Sequence, residues 1–203
     1  GKGRSAGIEF MAQKTLGRTT GWLSYTLSKS DRQFAKGGIN NGERFPYKYD
    51  RRHNINLTIN HKFSDRIDIG ASWVFYTGGT STIPEEKTAV IRPSDGTNNG
   101  FGGGYGDYFD SSITSPTIGE ASYVEHRNNY RLPASHRLNV GVNFNKKTKH
   151  GMRTWNISLY NAYNAMNPTF VYRSTSKNDP NKPIIKKYTI LPLIPSFTYT
   201  YKF

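Results

Sequence analysis

The chain has no cysteine, no extended apolar run and few acidic side chains. Without thiols it can build neither a disulfide framework nor a thiolate metal site, and a closed zinc site is disfavoured. The histidines, His53, His61, His126, His136 and His150, show no ligand spacing, so no metal is assigned. No segment approaches the ~20 consecutive apolar residues that a transmembrane helix needs. The shortage of acid is as informative: 14 Asp and Glu stand against 28 Lys and Arg, giving a net charge of +14. The bland reading is a set of basic, solvated loops. The sharper one is attraction to an anionic partner such as lipopolysaccharide, an acidic substrate or nucleic acid. Glu85-Glu86 is an adjacent pair on a loop, and no Ser/His/Asp constellation can be argued from the spacing. The chain is therefore read as a non-enzyme with no catalytic residue and no cofactor.

What the sequence does have is alternation. Mean hydropathy is −0.71 and hydrophobic content only 34%. A strand between lipid and a wet interior needs only every second residue to be apolar, so a polar average does not exclude a membrane β-barrel. The last residues, Ser196 to Phe203, place Phe197, Tyr199, Tyr201 and Phe203 on one face and Ser196, Thr198, Thr200 and Lys202 on the other. A soluble protein rarely leaves an all-aromatic stripe on a frayed end, whereas the closing strand of an outer-membrane barrel requires one. Tyrosine (14) and phenylalanine (11) are numerous enough for aromatic girdles at both interfaces.

Similar runs recur along the chain. Gly7 to Leu16 carries Ile8, Phe10 and Ala12 on one face, and Trp22 to Ser30 carries Leu23, Tyr25 and Leu27. His53 to Phe63 alternates Ile55, Leu57 and Ile59 with Asn54, Asn56, Thr58 and Asn60. Ile67 to Tyr76, Leu138 to Asn145, Thr154 to Tyr163 and the final run complete seven strands. Short turns follow the first, third and fifth; long connections follow the second, fourth and sixth, the longest being Thr77 to Asn129, read as lacking structure of its own. Outer-membrane barrels have this asymmetry, with short periplasmic turns and long external loops. The expected fold is all-β: an antiparallel transmembrane β-barrel section of about seven strands, with its C-terminus at the periplasmic end. An odd number of strands leaves an open edge, so earlier strands of the same barrel are expected. Pro192 and Pro195 conflict with a ladder, which suggests a bulge or pairing that starts near Ser196. The opening Gly1-Lys2-Gly3-Arg4 has neither an initiator methionine nor a signal segment, so a removed signal or a fragment is expected.

The series Gly21-Trp22-Leu23-Ser24-Tyr25-Thr26-Leu27-Ser28-Lys29-Ser30, Tyr49-Asp50-Arg51-Arg52-His53 and Asn129-Tyr130-Arg131-Leu132-Pro133-Ala134-Ser135-His136-Arg137-Leu138 resembles the C-terminal barrel region of Bacteroidetes-type TonB-dependent receptors. Asn161-Ala162-Tyr163-Asn164-Ala165-Met166-Asn167-Pro168 and Leu191-Pro192-Leu193-Ile194-Pro195 through Phe203 continue the likeness. The resemblance implies a barrel of about 22 strands with an N-terminal plug. It further implies active import of a scarce nutrient such as a glycan, peptide, siderophore or vitamin across the bacterial outer membrane. The implied partners are outer-membrane lipid, the N-terminal part of the same barrel, and the TonB complex reached through that part. A surface lipoprotein lid is permitted without being required. By the same resemblance, Phe197, Tyr199, Tyr201 and Phe203 form the terminal strand that barrel-assembly machinery reads. The alternatives are an energy-independent porin or adhesin barrel, and a soluble basic β-protein that binds nucleic acid. The last leaves the terminal stripe unexplained, and nucleic acid is not expected as a partner.

Candidate ligand contacts fall where long connections meet strands. Arg51, Arg52 and His53 form a basic cluster that could line the lumen, or Asp50 could pair with a neighbouring arginine and simply order the rim. Arg131, His136 and Arg137 occupy the equivalent entry to the fifth strand and carry the same two readings. In the longest loop, Phe101 to Phe109 is glycine-rich, but no helix or Lys-Ser/Thr follows, so it does not cradle phosphate. Tyr105 and Tyr108 there could stack on a ligand, or their rings could pack into the mouth.

Overall fold

The computed structural model describes residues 1–92, 117–179 and 182–203. Period-two alternation produces long strands: β1 (Lys2–Lys14), β2 (Thr19–Gln33), β4 (His53–Lys62), β5 (Ile67–Tyr76), β10 (Ser135–Thr148), β11 (Gly151–Tyr160) and β14 (Ile194–Lys202). They form an antiparallel sheet in the order β1-β2-β4-β5-β10-β11-β14, and the short β3 (Phe45–Pro46) adds to β2. The all-β antiparallel class and the seven long strands thus stand as expected. The turns at residues 15–18, 63–66 and 149–150 are short and the connections at residues 34–52, 77–134 and 161–193 are long. In a meander this puts every short turn at one end, together with Phe203, because Lys202 pairs with Met152.

Three details differ from expectation. The longest connection has structure of its own: β6 (Thr80–Ser81) pairs with β9 (Tyr130–Arg131), and β7 (Glu86–Arg92) pairs with β8 (Thr117–Tyr123). The last connection holds a hairpin of β12 (Phe170–Thr175) and β13 (Pro183–Tyr188). Neither Lys87-Thr88-Ala89-Val90-Ile91 nor Pro183-Ile184-Ile185-Lys186-Lys187 alternates, so periodicity could not flag them. Finally, β14 begins at Ile194, with Pro195 opposite Leu159. Pro195 is at the start of β14, where a strand tolerates proline. Residues Gly1–Ile83 with His126–Phe203 form one compact unit; Pro84–Glu125, the β7–β8 region, form a second.

Cross-strand register sorts the main sheet into two unlike faces. One carries rows such as Ala12, Leu23, Leu57, Trp73 and Leu138, then Ile59, Ala71, Val140 and Leu159, then Ile69, Val142, Ile157 and Phe197. The opposite face carries Thr58, Ser72 and Asn139, and nearer the short turns Asp68, Asn143, Asn156 and Thr198. There the side chains form a ladder. Asn143 Nδ2 and Asn145 Nδ2 donate to the two Asp68 carboxylate oxygens at 2.7 and 2.6 Å. Asn156 donates to Asn143 Oδ1 at 2.7 Å and Thr154 to Asn145 Oδ1 at 2.8 Å.

The apolar face ends in rings at both margins. Toward the short turns Trp155 lies against Phe197 and Tyr199, with centroids 5.1 and 4.4 Å apart, and Phe144 is opposite Trp155. Toward the long connections Trp73 stacks on Phe75, and Trp73 Nε1 donates to Tyr163 Oη at 3.1 Å. Among the described residues only Phe45 and Ile83 are buried hydrophobics, whereas Asp31, Asn40, Asp50, Thr80, Ser135 and Asn161 are buried polar residues. The sheet therefore has no apolar core of its own. Its strands β1 and β14 are the two edges, and every residue of both is exposed.

Candidate functional site

The long-connection end is organised around Asp50, which is 1% exposed. A short turn places it: Asp50 N–H donates to Tyr47 O at 2.8 Å, and Tyr47 N–H donates to Ser30 O at 3.0 Å. The carboxylate accepts from Ser30 N–H at 2.6 Å, Arg131 Nη2 at 2.5 Å and Arg52 Nε at 3.3 Å. Arg131 Nη1 also donates to the backbone oxygens of Asp50 and Gly78, at 2.8 and 2.9 Å. Gly78 is required here, since a Cβ would fall 2.0 Å from Leu132 O. Burial alone would push the Asp50 carboxyl up. The Ser30 N–H, the Arg131 hydrogen bond and the charges of Arg131 and Arg52 outweigh it and hold the group below its ordinary range.

Reciprocal amide pairs tie the neighbouring connections together. Asn40 Nδ2 donates to Arg127 O at 3.1 Å while Arg127 N–H donates to Asn40 Oδ1 at 2.7 Å. Asn129 exchanges two bonds of 2.9 Å with the Ile83 backbone. Asn161, 1% exposed with φ +53°, caps β11: its amide group donates to Ala165 O and Leu191 O at 3.0 and 3.2 Å and accepts from Ala165 N–H at 2.8 Å. Asparagine suits this site because it tolerates the left-handed region and carries both donor and acceptor.

The basic residues singled out from the sequence separate into three groups. Arg52 and Arg131 are engaged with Asp50, the rim-ordering arrangement. His53 falls on the face of Ile55 and Leu57, where its Nδ1 meets Tyr25 Oη at 2.9 Å, and does not share the polar face of Asn54 and Asn56. His136 is likewise on the apolar face, bonded to Tyr163 Oη at 2.8 Å. Arg51 and Arg137 remain. The Arg51 guanidinium lies 4.0 Å over the Tyr76 ring, and that of Arg137 lies 4.3 Å over the Tyr160 ring and also bonds Tyr160 Oη. Tyr105 and Tyr108 lie outside the described residues. Phe197, Tyr199, Tyr201 and Phe203 are exposed along the β14 edge.

Arg51, Tyr76, Arg137, Tyr160, Asn161 and Thr169 contribute to the wall of a cavity of about 310 Å³. Tyr76 and Tyr160 were not singled out as site residues, although Tyr76 follows Phe75 and so falls on the polar face by parity alone. With two guanidinium groups and two aromatic faces, the arrangement supplies donors for an acceptor and apolar walls for a ring. No family model matches the chain, and no curated protein or solved structure is significantly similar to it.

Proposed function

We propose that the chain is the C-terminal section of a TonB-dependent outer-membrane receptor barrel that imports a scarce nutrient. The observation that carries this reading is the two-faced sheet: an aliphatic band margined by rings on one side, hydrogen-bonded amides and carboxylate on the other, and no apolar core between layers. A soluble sheet covers such a face with a second layer. Lipid covers it without one, and aromatic residues gather where the bilayer meets water. The β5 stretch from Ile67 to Phe75 has a length within the roughly 9–11 residues that a tilted strand needs to cross the hydrocarbon core. Open edges at β1 and β14 cannot persist in hydrocarbon, so strands of the same barrel pair with them. Active import, as opposed to a porin or adhesin role, follows from the motif resemblance.

Deleting the gene in its host should abolish uptake of one nutrient from a panel of oligosaccharides, peptides and ferric chelates supplied at limiting concentration. A protonophore should abolish the same uptake in the parent strain. Uptake that survives the protonophore would instead identify a passive porin.

A further inference from the structure

We propose that the cavity lined by Arg51, Tyr76, Arg137 and Tyr160 binds the carboxylate of a small acidic ligand, with the two arginines as its cationic donors. It rests on the preceding reading only in placing the polar face toward the ligand's path. Of the four arginines singled out from the sequence, Arg52 and Arg131 have a carboxylate partner in Asp50. Among the described residues, neither Arg51 nor Arg137 makes an ion pair, and the cavity wall contains no Asp or Glu. Arg137 Nε is buried with no hydrogen-bond partner, while Nη1 of the same group is committed to Tyr160 Oη. A buried donor on a permanently charged group is costly unless an acceptor meets it.

The chemistry of that acceptor follows from what is left over. Each guanidinium lies over one tyrosine ring, and its N–H groups, which point out along its edges, are what it can offer to a ligand. A guanidinium edge matches a planar, two-oxygen acceptor. The amides that share the wall have other work. Asn161 holds Ala165 and Leu191, and Asn167 Nδ2 donates to His136 O at 2.8 Å. The planar, two-oxygen geometry that a guanidinium edge matches favours carboxylate over tetrahedral phosphate. A volume of about 310 Å³ is at the small end of ligand sites, roughly 300–1,000 Å³, and suits a single ring. Tyr76 and Tyr160 offer apolar surface for the carbon skeleton of a sugar acid. The excess of basic residues over the whole chain favours the approach of such an anion.

The test is isothermal titration of the full-length protein in detergent micelles with glucuronate, glucose and inorganic phosphate. Glucuronate should bind at least tenfold more tightly than glucose. Arg137→Gln and Arg51→Gln should each weaken glucuronate by roughly tenfold or more, in line with a lost charged hydrogen bond, without changing glucose. Arg137→Lys, which keeps the charge but removes Nε, should fall between wild type and Arg137→Gln and provides a folded comparison by circular dichroism. Equal affinity for glucose and glucuronate, or glucuronate affinity unchanged in folded Gln variants, would overturn the assignment. Tighter binding of phosphate than of glucuronate would also overturn it, as a phosphate site. Because binding is read without transport, loss of the import reading would leave this measurement intact.

Discussion

Asp50→Ala is expected to destabilise the folded protein by about 3 kcal/mol, the lower part of the range for removing one member of a buried ion pair. The lower part applies because Arg52 and Arg131 are 42% and 34% exposed, so water partly screens them once the carboxylate is gone. The loss extends beyond one pair. Ser30 N–H, Arg131 and Arg52 converge on this carboxylate, and Arg131 in turn holds the Asp50 and Gly78 carbonyls. The β2–β4 and β5–β10 connections are thus joined at one side chain. Urea titration in detergent micelles, followed by tryptophan fluorescence, gives the difference. Arg131→Ala and the double variant complete a cycle in which the losses are less than additive.

The pH dependence has a definite sign. The folded Asp50 carboxyl titrates below its ordinary value, so the unfolded chain binds its proton first as the pH falls. The stabilisation is complete above the unfolded carboxylate pKa, about 3.9, and is lost as the pH falls through the lower folded value. The gap between wild type and Asp50→Ala should therefore be constant near neutrality and narrow only in acid. A gap that persisted unchanged below the folded value would remove the carboxylate from the account.

Leu57→Arg should cost about 2–4 kcal/mol for folding into lipid vesicles, the price of a cation on the lipid face near the bilayer midplane. Leu57 sits midway along β4, in the row of Leu23 and Trp73. Asn56→Arg, one residue away on the polar face, should change stability by less than about 1 kcal/mol, since the proposed barrel places this side chain in a wet interior. Equal costs at both positions would mean that the two faces have the same surroundings. Urea titration in vesicles reads both variants on one scale.

The long strands were legible because sustained alternation is a strong signal, as in Asn54-Ile55-Asn56-Leu57-Thr58-Ile59-Asn60. Thr80–Ser81 and Tyr130–Arg131 were not, since two-residue strands have no period and depend on contacts between distant segments, such as Arg131 Nη1 to Gly78 O. Among the basic residues, part of the answer was on the sequence. His53 is two positions before Ile55, so strand parity already places it with the apolar row, and Arg137 shares parity with Asn139 on the polar side. What parity could not supply was the choice of partner for Asp50. Arg51, Arg52, Arg131 and Arg137 are equivalent as residue types, and only the turn at Tyr47 and the approach at Gly78 direct Arg52 and Arg131 to it.

In the proposed barrel, lipid covers one face of this sheet and water the other. These 203 residues contain no cysteine, so once any cysteine elsewhere in the protein is replaced, a spin label can be placed in turn at Asn56, Leu57, Thr58, Leu138 and Asn139 in protein reconstituted into liposomes. Collision rates with oxygen, which concentrates in hydrocarbon, and with a water-soluble nickel chelate then report the surroundings. A sheet between lipid and water predicts a period of two: oxygen-accessible and nickel-protected at Leu57 and Leu138, the reverse at Asn56, Thr58 and Asn139. High nickel accessibility at all five positions would contradict it.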